Sequence, residues 1–159
     1  MAPPVEFVDT SVLCNILEVP GRDQHRDDVL CALRALLEEG AELIVPTAAV
    51  IETGNHISQI NDGGVRRKAA ERFEKMLRHT IAETAPWKFN NAFWDAAFIA
   101  ELCDGGGTGT SLTAHATAGD IGVGDLTILA EADQYRRRSR LADVTVWTLD
   151  AQLDAHNPA

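Results

Sequence analysis

Two short apolar runs, Val5–Val8 and Val144–Leu149, lie near opposite ends of the chain, and each is followed at once by an aspartate, Asp9 and Asp150. Runs this short and this rich in β-branched residues suit strands buried on both faces. Leu43–Val45 has the same character, and Thr80–Ala82 reads as a further, weaker strand. Helical patterns separate them. Asp23–Glu39 is expected as a helix capped by Asp23, with Leu30, Leu33 and Leu37 on one face and Gly40 just past its end. Pro46 can open a second helix at its first position, with Val50 and Ile57 inward. Gly63-Gly64 precedes a third, whose stripe is Val65, Ala69, Phe73, Met76 and Leu77. Asn91–Cys103 and Asp125–Arg138 complete the set. Strands alternating with helices call for a parallel sheet covered on both faces.

At 159 residues the chain is expected to form one domain spanning 1–159. Residues 104–124 lack clean periodicity, although Ser111–Ala118 can hide a short helix. The run Gly105 to Ser111 lacks the lysine of a P-loop and follows a helix, so it is expected to be a flexible loop. No apolar stretch approaches the ~20 residues that span a bilayer. The opening MAPPVEFVD has neither a basic segment nor a long apolar one, so no secretory leader is expected. Cys14, Cys31 and Cys103 are odd in number and far apart, which argues for reduced, buried thiols in a cytoplasmic protein and against a zinc site.

The formal net charge of -10 argues against broad electrostatic capture of nucleic acid. Ten of the fourteen basic residues are nevertheless concentrated in two stretches, Arg66–Arg78 and Arg136–Arg140. These are either solvated helix faces or two phosphate-contacting patches beside an acidic centre.

That acidic centre is the informative element. In an open parallel sheet, Asp9 and Asp150 leave their strands at the same carboxyl edge, where ligands bind. Glu52 lies within the helix after the second strand, and Asp125 starts a helix after the segment GDIGVGD. Asp120 and Asp143 compete with Asp125 and Asp150 for these places; Asp125 is preferred because it heads the helix, and Asp150 because it ends a strand. Carboxylates brought together repel, and a divalent cation relieves the repulsion. Magnesium takes oxygen ligands, keeps several waters and is held directly by one or two carboxylates. Such an ion polarises a phosphoryl oxygen and acidifies water.

The residues Val8-Asp9-Thr10-Ser11-Val12-Leu13, Val45-Pro46 leading to Glu52, Gly124-Asp125-Leu126-Thr127-Ile128-Leu129-Ala130 and Val146-Trp147-Thr148-Leu149-Asp150 together resemble, in order, the four motifs of PIN-domain nucleases. The resemblance implies a three-layer α/β/α sandwich with a mainly parallel central sheet of about five strands. It implies a Mg²⁺- or Mn²⁺-dependent endoribonuclease, as in the toxins of bacterial toxin–antitoxin pairs, acting on RNA, with a small antitoxin protein as partner and a homodimer as the assembly. Asp9, Glu52, Asp125 and Asp150 would form the catalytic and metal-binding quartet, with Asp9 and Asp125 as direct ligands. Thr10, Ser11 and Thr148 would orient these carboxylates. The alternatives are a PIN-like interaction module without efficient catalysis, and a metal-dependent nuclease acting on DNA.

Other readings fit less well. Ser11 stands where a haloacid-dehalogenase phosphatase needs its second aspartate, and Val146–Asp150 lacks a receiver domain's lysine. His56, one turn after Glu52, is expected beside the cleft rather than as a ligand, and His115 at the surface. Trp87, Phe89, Phe93, Trp94 and Phe98 are expected to cluster, in the core or at a dimer face, with base stacking as the alternative.

Overall fold

The computed structural model describes residues 2–92, 94–140 and 143–158. In chain order the elements are β1 (Val5–Val8), α1 (Thr10–Ile16), α2 (Arg26–Glu38), β2 (Glu42–Val45), α3 (Thr47–Ser58), α4 (Gly63–Ile81), β3 (Trp87–Phe89), α5 (Ala96–Cys103), α6 (Leu112–Ala118), α7 (Val123–Ser139), β4 (Val144–Trp147) and α8 (Ala151–Asp154). The sheet is wholly parallel in the order β3-β2-β1-β4. Four strands are described, one fewer than the resemblance implies.

Alternation along the strands feeds two separate apolar clusters. Val5, Phe7, Ile44, Val144 and Val146 point to one face, where they meet α5, α7 and α8. Val8, Leu43 and Val45 point to the other, against α1, α2 and α4. Helices thus cover both faces, as burial of an all-parallel sheet requires and as a three-layer α/β/α arrangement has them. Among the described residues no helix is long and apolar enough to cross a membrane.

Several boundaries differ from expectation for local reasons. Thr80 and Ile81 finish α4 and form no strand: the Thr80 hydroxyl donates to the Met76 carbonyl one turn back (2.8 Å), so the β-branched pair continues the helix. The strand falls instead at Trp87–Phe89, registered against Leu43–Val45. α2 begins at Arg26 rather than near Asp23, because the buried Asn15 side chain accepts from the His25 amide (2.9 Å) and holds the preceding loop outside the helix. Its inward residues are Val29, Leu33 and Leu36, and Leu37 is 41% exposed. Pro46 occupies the cap position of α3, one residue earlier than expected. Gly63 and Gly64 lie inside the first turn of α4, capped by Asp62, and Val65 of its expected stripe is exposed. α5 starts at Ala96, where Asp95 caps the Phe98 amide (2.9 Å), not at Asn91.

The 104–124 segment is folded. Ser111 caps α6 through the Ala114 amide (3.2 Å), as the sequence allowed. The preceding glycines make a corner against α7. Gly105, Gly106 and Gly107 all have positive φ, and a Cβ on Gly107 would stand 2.8 Å from Asp133 Cγ. His115, expected at the surface, is 2% exposed, with its ring between Asp120 (Nδ1 to Oδ1, 3.0 Å) and Thr108 (Nε2 to Oγ1, 2.9 Å). It clips the glycine corner to the turn that leads into α7. The aromatic residues divide between the two faces rather than forming one cluster. Phe98 is in the α7-side core, Trp87 and Phe89 pack on the other, and Trp94 is 45% exposed. Phe93 lies outside the described residues.

Candidate active site

From β1 the chain steps outward through β2 to β3 on one side, and β4 lies on the other side. The order of the sheet therefore reverses at β1 and β4, and an open α/β sheet has its binding crevice beyond the carboxyl ends of such strands. A cleft of about 640 Å³ occupies that position, and Asp9, Glu52, Asp125 and Asp150 all line it. Asp120 and Asp143 do not. The Asp120 carboxylate is taken by His115 and the Ile121 amide, and the His115 contact holds it below the usual carboxylate range. Asp143 precedes β4, and its carbonyl accepts from Val5 at the opposite edge of the sheet.

Each acid arrives by a different local route. The register of β1 on β4 sets Val8 beside Trp147, and the Asp9 amide donates to the Trp147 carbonyl (3.0 Å). Asp9 then caps α1, a helix not expected from the sequence. Its Oδ2 accepts from the Ser11 amide (3.3 Å), the Ser11 hydroxyl (2.6 Å) and the Thr148 hydroxyl (2.8 Å). Three donors on one oxygen fix the carboxylate and leave Oδ1 buried, without a partner among the described residues. Glu52, in the second turn of α3, accepts on Oε2 from the Thr10 hydroxyl (2.9 Å). β4 ends at Trp147, so Thr148 and Leu149 form a short turn before Asp150, which caps α8 through the Gln152 amide (2.8 Å). That turn is tied back: the Leu149 amide donates to Ser11 Oγ (3.1 Å) and the Asp150 amide to Thr148 Oγ1 (3.0 Å). Thr10, Ser11 and Thr148 thus connect three of the four acids.

Asp125 is the fourth. α7 begins at Val123, so Asp125 sits in its first turn rather than at its head. Burial, then the charges of Asp9, Glu52 and Asp150, push its carboxyl up to about 7. The neighbouring Gly124 gives Glu52 its space: a Cβ there would fall 1.4 Å from Glu52 Oε1. Among the described residues no three His, Cys, Asp or Glu side chains form a group that could hold a metal ion. An ion here would depend on one or two carboxylates completed by water, which is magnesium's usual mode. The unpartnered Asp9 Oδ1 and the raised Asp125 carboxyl both fit such a ligand.

The other wall of the cleft comes from the α1–α2 loop and α3. His56 lies there with Nδ1 buried and unpartnered; burial and the nearby Arg22 charge lower its pKa against the opposing pull of Glu52. Cys14 is also at the cleft, but burial pushes its thiol up to about 11, which removes it as a nucleophile at neutral pH. Cys31 and Cys103 are exposed rather than buried.

Neither basic stretch lines the cleft. Arg67 and Arg78 pair with Glu71 and Glu74 along α4, Arg72 donates to the Leu17 and Glu18 carbonyls, and Arg137 holds Glu101 and Asp133. Arg22, Asn15, Gly124 and Glu131 are site-shaping residues that sequence reasoning did not reach. Glu131, 0% exposed in α7, accepts from Asn90 Nδ2 (3.0 Å), Trp94 Nε1 (3.3 Å) and the Thr47 amide. Burial raises its pKa while these donors oppose the rise. It caps the start of α3 from within the helix that carries Asp125, and so joins the supports of Glu52 and Asp125.

No family model matches the chain, and no curated protein or solved structure matches it either. Fold and cleft define its class: an α/β protein with a parallel sheet and a carboxylate-floored crevice at the topological switch point.

Proposed function

We propose that the chain is a Mg²⁺- or Mn²⁺-dependent endoribonuclease of PIN type. The observation that carries this reading is the meeting of Asp9, Glu52, Asp125 and Asp150 in one cleft, with Asp9 Oδ1 fixed and unpartnered. Asp9 and Asp125 would hold the ion, with Glu52 and Asp150 beside them. A bound divalent ion supplies phosphoryl polarisation and an activated water. The chain supplies position: Ser11 and Thr148 lock Asp9, Thr10 locks Glu52, and the α8 cap locks Asp150. Preference for RNA, the toxin role, a small antitoxin partner and a homodimer all rest on the motif resemblance. A cytoplasmic setting suits the three unpaired thiols.

Labelled RNA and single- and double-stranded DNA, incubated with the full chain and Mg²⁺, test the proposal. RNA cleavage that stops on adding EDTA is expected. Cleavage of DNA alone makes the protein a DNA nuclease, no cleavage of any substrate makes it an interaction module, and cleavage that persists in EDTA rejects the metal site.

Gly124→Ala separates site geometry from stability. The added methyl must displace the Glu52 carboxylate, so divalent affinity should fall about 10- to 100-fold, as on disturbing a metal site's supports. Alanine in the first turn of α7 also favours the helix by about 1 kcal/mol over glycine. Calorimetric titration and thermal melting should therefore move in opposite directions: weaker metal uptake with an unchanged or higher Tm. Unchanged uptake would remove Glu52 from the ion's surroundings.

A further inference from the structure

We propose that Arg22 grips a backbone phosphate of a single-stranded nucleic acid, next to the bond to be cut, an inference that rests on the nuclease reading. Among the described residues Arg22 is the sole lysine or arginine lining the cleft. It is exposed and forms no ion pair among the described residues, although four carboxylates line the same cleft. Its charge acts on both Cys14 of α1 and His56 of α3, which line the same cleft. A guanidinium with a purely structural role in so acidic a molecule would be expected to close onto one of those acids.

The loop that carries Arg22 is fastened at many points. The Arg22 amide closes a turn on the Val19 carbonyl (2.9 Å), Gly21 supplies a positive φ of 78°, and Gln24 Nε2 donates to the Gly21 carbonyl (2.7 Å). Arg72 donates to the Leu17 and Glu18 carbonyls (2.7 and 2.8 Å), and Arg26 pairs with Glu18 (3.1 Å). Asn15, 3% exposed, donates to the Ser11 carbonyl (2.8 Å) and accepts from the His25 amide (2.9 Å). The loop is thereby rooted in the turn of α1 that fixes Asp9. Two arginines of this region satisfy the loop, and the third is left free on it. A guanidinium carried on a fastened loop, in one cleft with four carboxylates, suits an oxyanion brought to a cation there, and a phosphodiester supplies one.

The depth of the site favours one strand over two. Asp9 is 2% exposed at the floor of the cleft that Arg22 also lines, so the reacting phosphate has to turn into the cleft. A flexible single strand can turn a phosphate inward, whereas paired strands hold theirs on a stiff cylinder. The uncharged Asn55 and Gln59 on the same wall offer donors and acceptors to an unpaired base.

The test uses the full chain with Mg²⁺ and a fluorescein-labelled single-stranded RNA of about ten nucleotides, phosphorothioate-linked to slow cleavage. Binding is followed by anisotropy across a salt series, with kcat and KM measured on the unmodified RNA. Arg22→Ala should weaken binding about 10- to 100-fold and make the slope of log K against log salt shallower by about 0.7. KM should rise accordingly while kcat changes little, and Arg22→Lys should restore the slope. Thermal melting of Arg22→Ala should match the parent chain, because the side chain has no partner to lose among the described residues. If the parent chain binds or cleaves RNA and Arg22→Ala leaves affinity, KM and slope unchanged, the grip is overturned and the nuclease reading stands. If the parent chain neither binds nor cleaves RNA, both fall together.

Discussion

Asp9→Asn is expected to lower metal-dependent RNA cleavage by about 10³-fold, the scale of losing a directly placed charge at a phosphoryl-transfer centre. The hydrogen bonds dictate how the substitution acts. Oδ2 of Asp9 faces three donors, so the asparagine must turn its oxygen toward Ser11 and Thr148. Its NH₂ then takes the place of Oδ1, the unpartnered atom, and presents protons where the cation needs an oxygen. Stability should hardly change, since asparagine caps a helix about as well as aspartate and one charge leaves a crowded cleft. Cleavage assays beside melting curves and calorimetric Mg²⁺ titration check this. Activity within about tenfold of the parent chain, at unchanged Tm, would show that Asp9 carries the fold and not the reaction.

The strands that carry site residues were legible because burial on both faces gives a short run dominated by β-branched and aromatic residues, with a polar residue where the strand meets solvent. Val5–Val8 and Val144–Trp147 have that form; Asp9 follows the first directly, and Asp150 lies beyond the turn of Thr148 and Leu149. β3 was not legible. Trp87–Phe89 is only three residues long and its side chains are partly exposed, so it lacks the run that marked the others. Thr80–Ala82 imitated that signal, and the Thr80 hydroxyl bond to Met76 shows how a helix absorbs a β-branched residue. α1 was hidden because seven residues hold barely two turns of periodicity. In the site, the four acids could be read because each sits at a strand end or in an early helical turn. Arg22 and Asn15 could not, since their roles come from a loop path set by distant partners such as Arg72. His115 was misplaced at the surface for the same reason: its environment is made by Thr108 and Asp120, and no local pattern announces a buried clip. Glu131 gave no signal either, as an acid between Ala130 and Ala132, two residues before Asp133, looks the same whether it faces water or core.

Raising the pH should destabilise the ion-free protein through Asp125, and added Mg²⁺ should reverse the loss. The carboxyl has an ordinary value of 3.8 and is pushed up to about 7 in the fold, first by burial and then by Asp9, Glu52 and Asp150. Between those values the native state binds more protons than the unfolded chain, so this group's contribution to stability falls as pH rises and levels off above about 7. Full linkage for such a shift would be about 4 kcal/mol. Asp125 is only half-buried, and screening at its exposed side reduces this to about 2 kcal/mol. For a chain of this size that corresponds to about 4–8 °C in Tm. The Asp125→Asn chain should lack this slope and melt above the parent chain at pH 8 in EDTA. With millimolar Mg²⁺ at pH 8 the order should reverse, because the ion binds the parent's ionised cleft and stabilises only the state that binds it. Melting curves from pH 4.5 to 8.5, with EDTA and with Mg²⁺, contain the whole test. An Asn variant that tracks the parent chain under both conditions would place Asp125 outside the crowded floor. A variant that gains the alkaline advantage but whose parent takes no stabilisation from Mg²⁺ would leave the crowding intact and remove the ion.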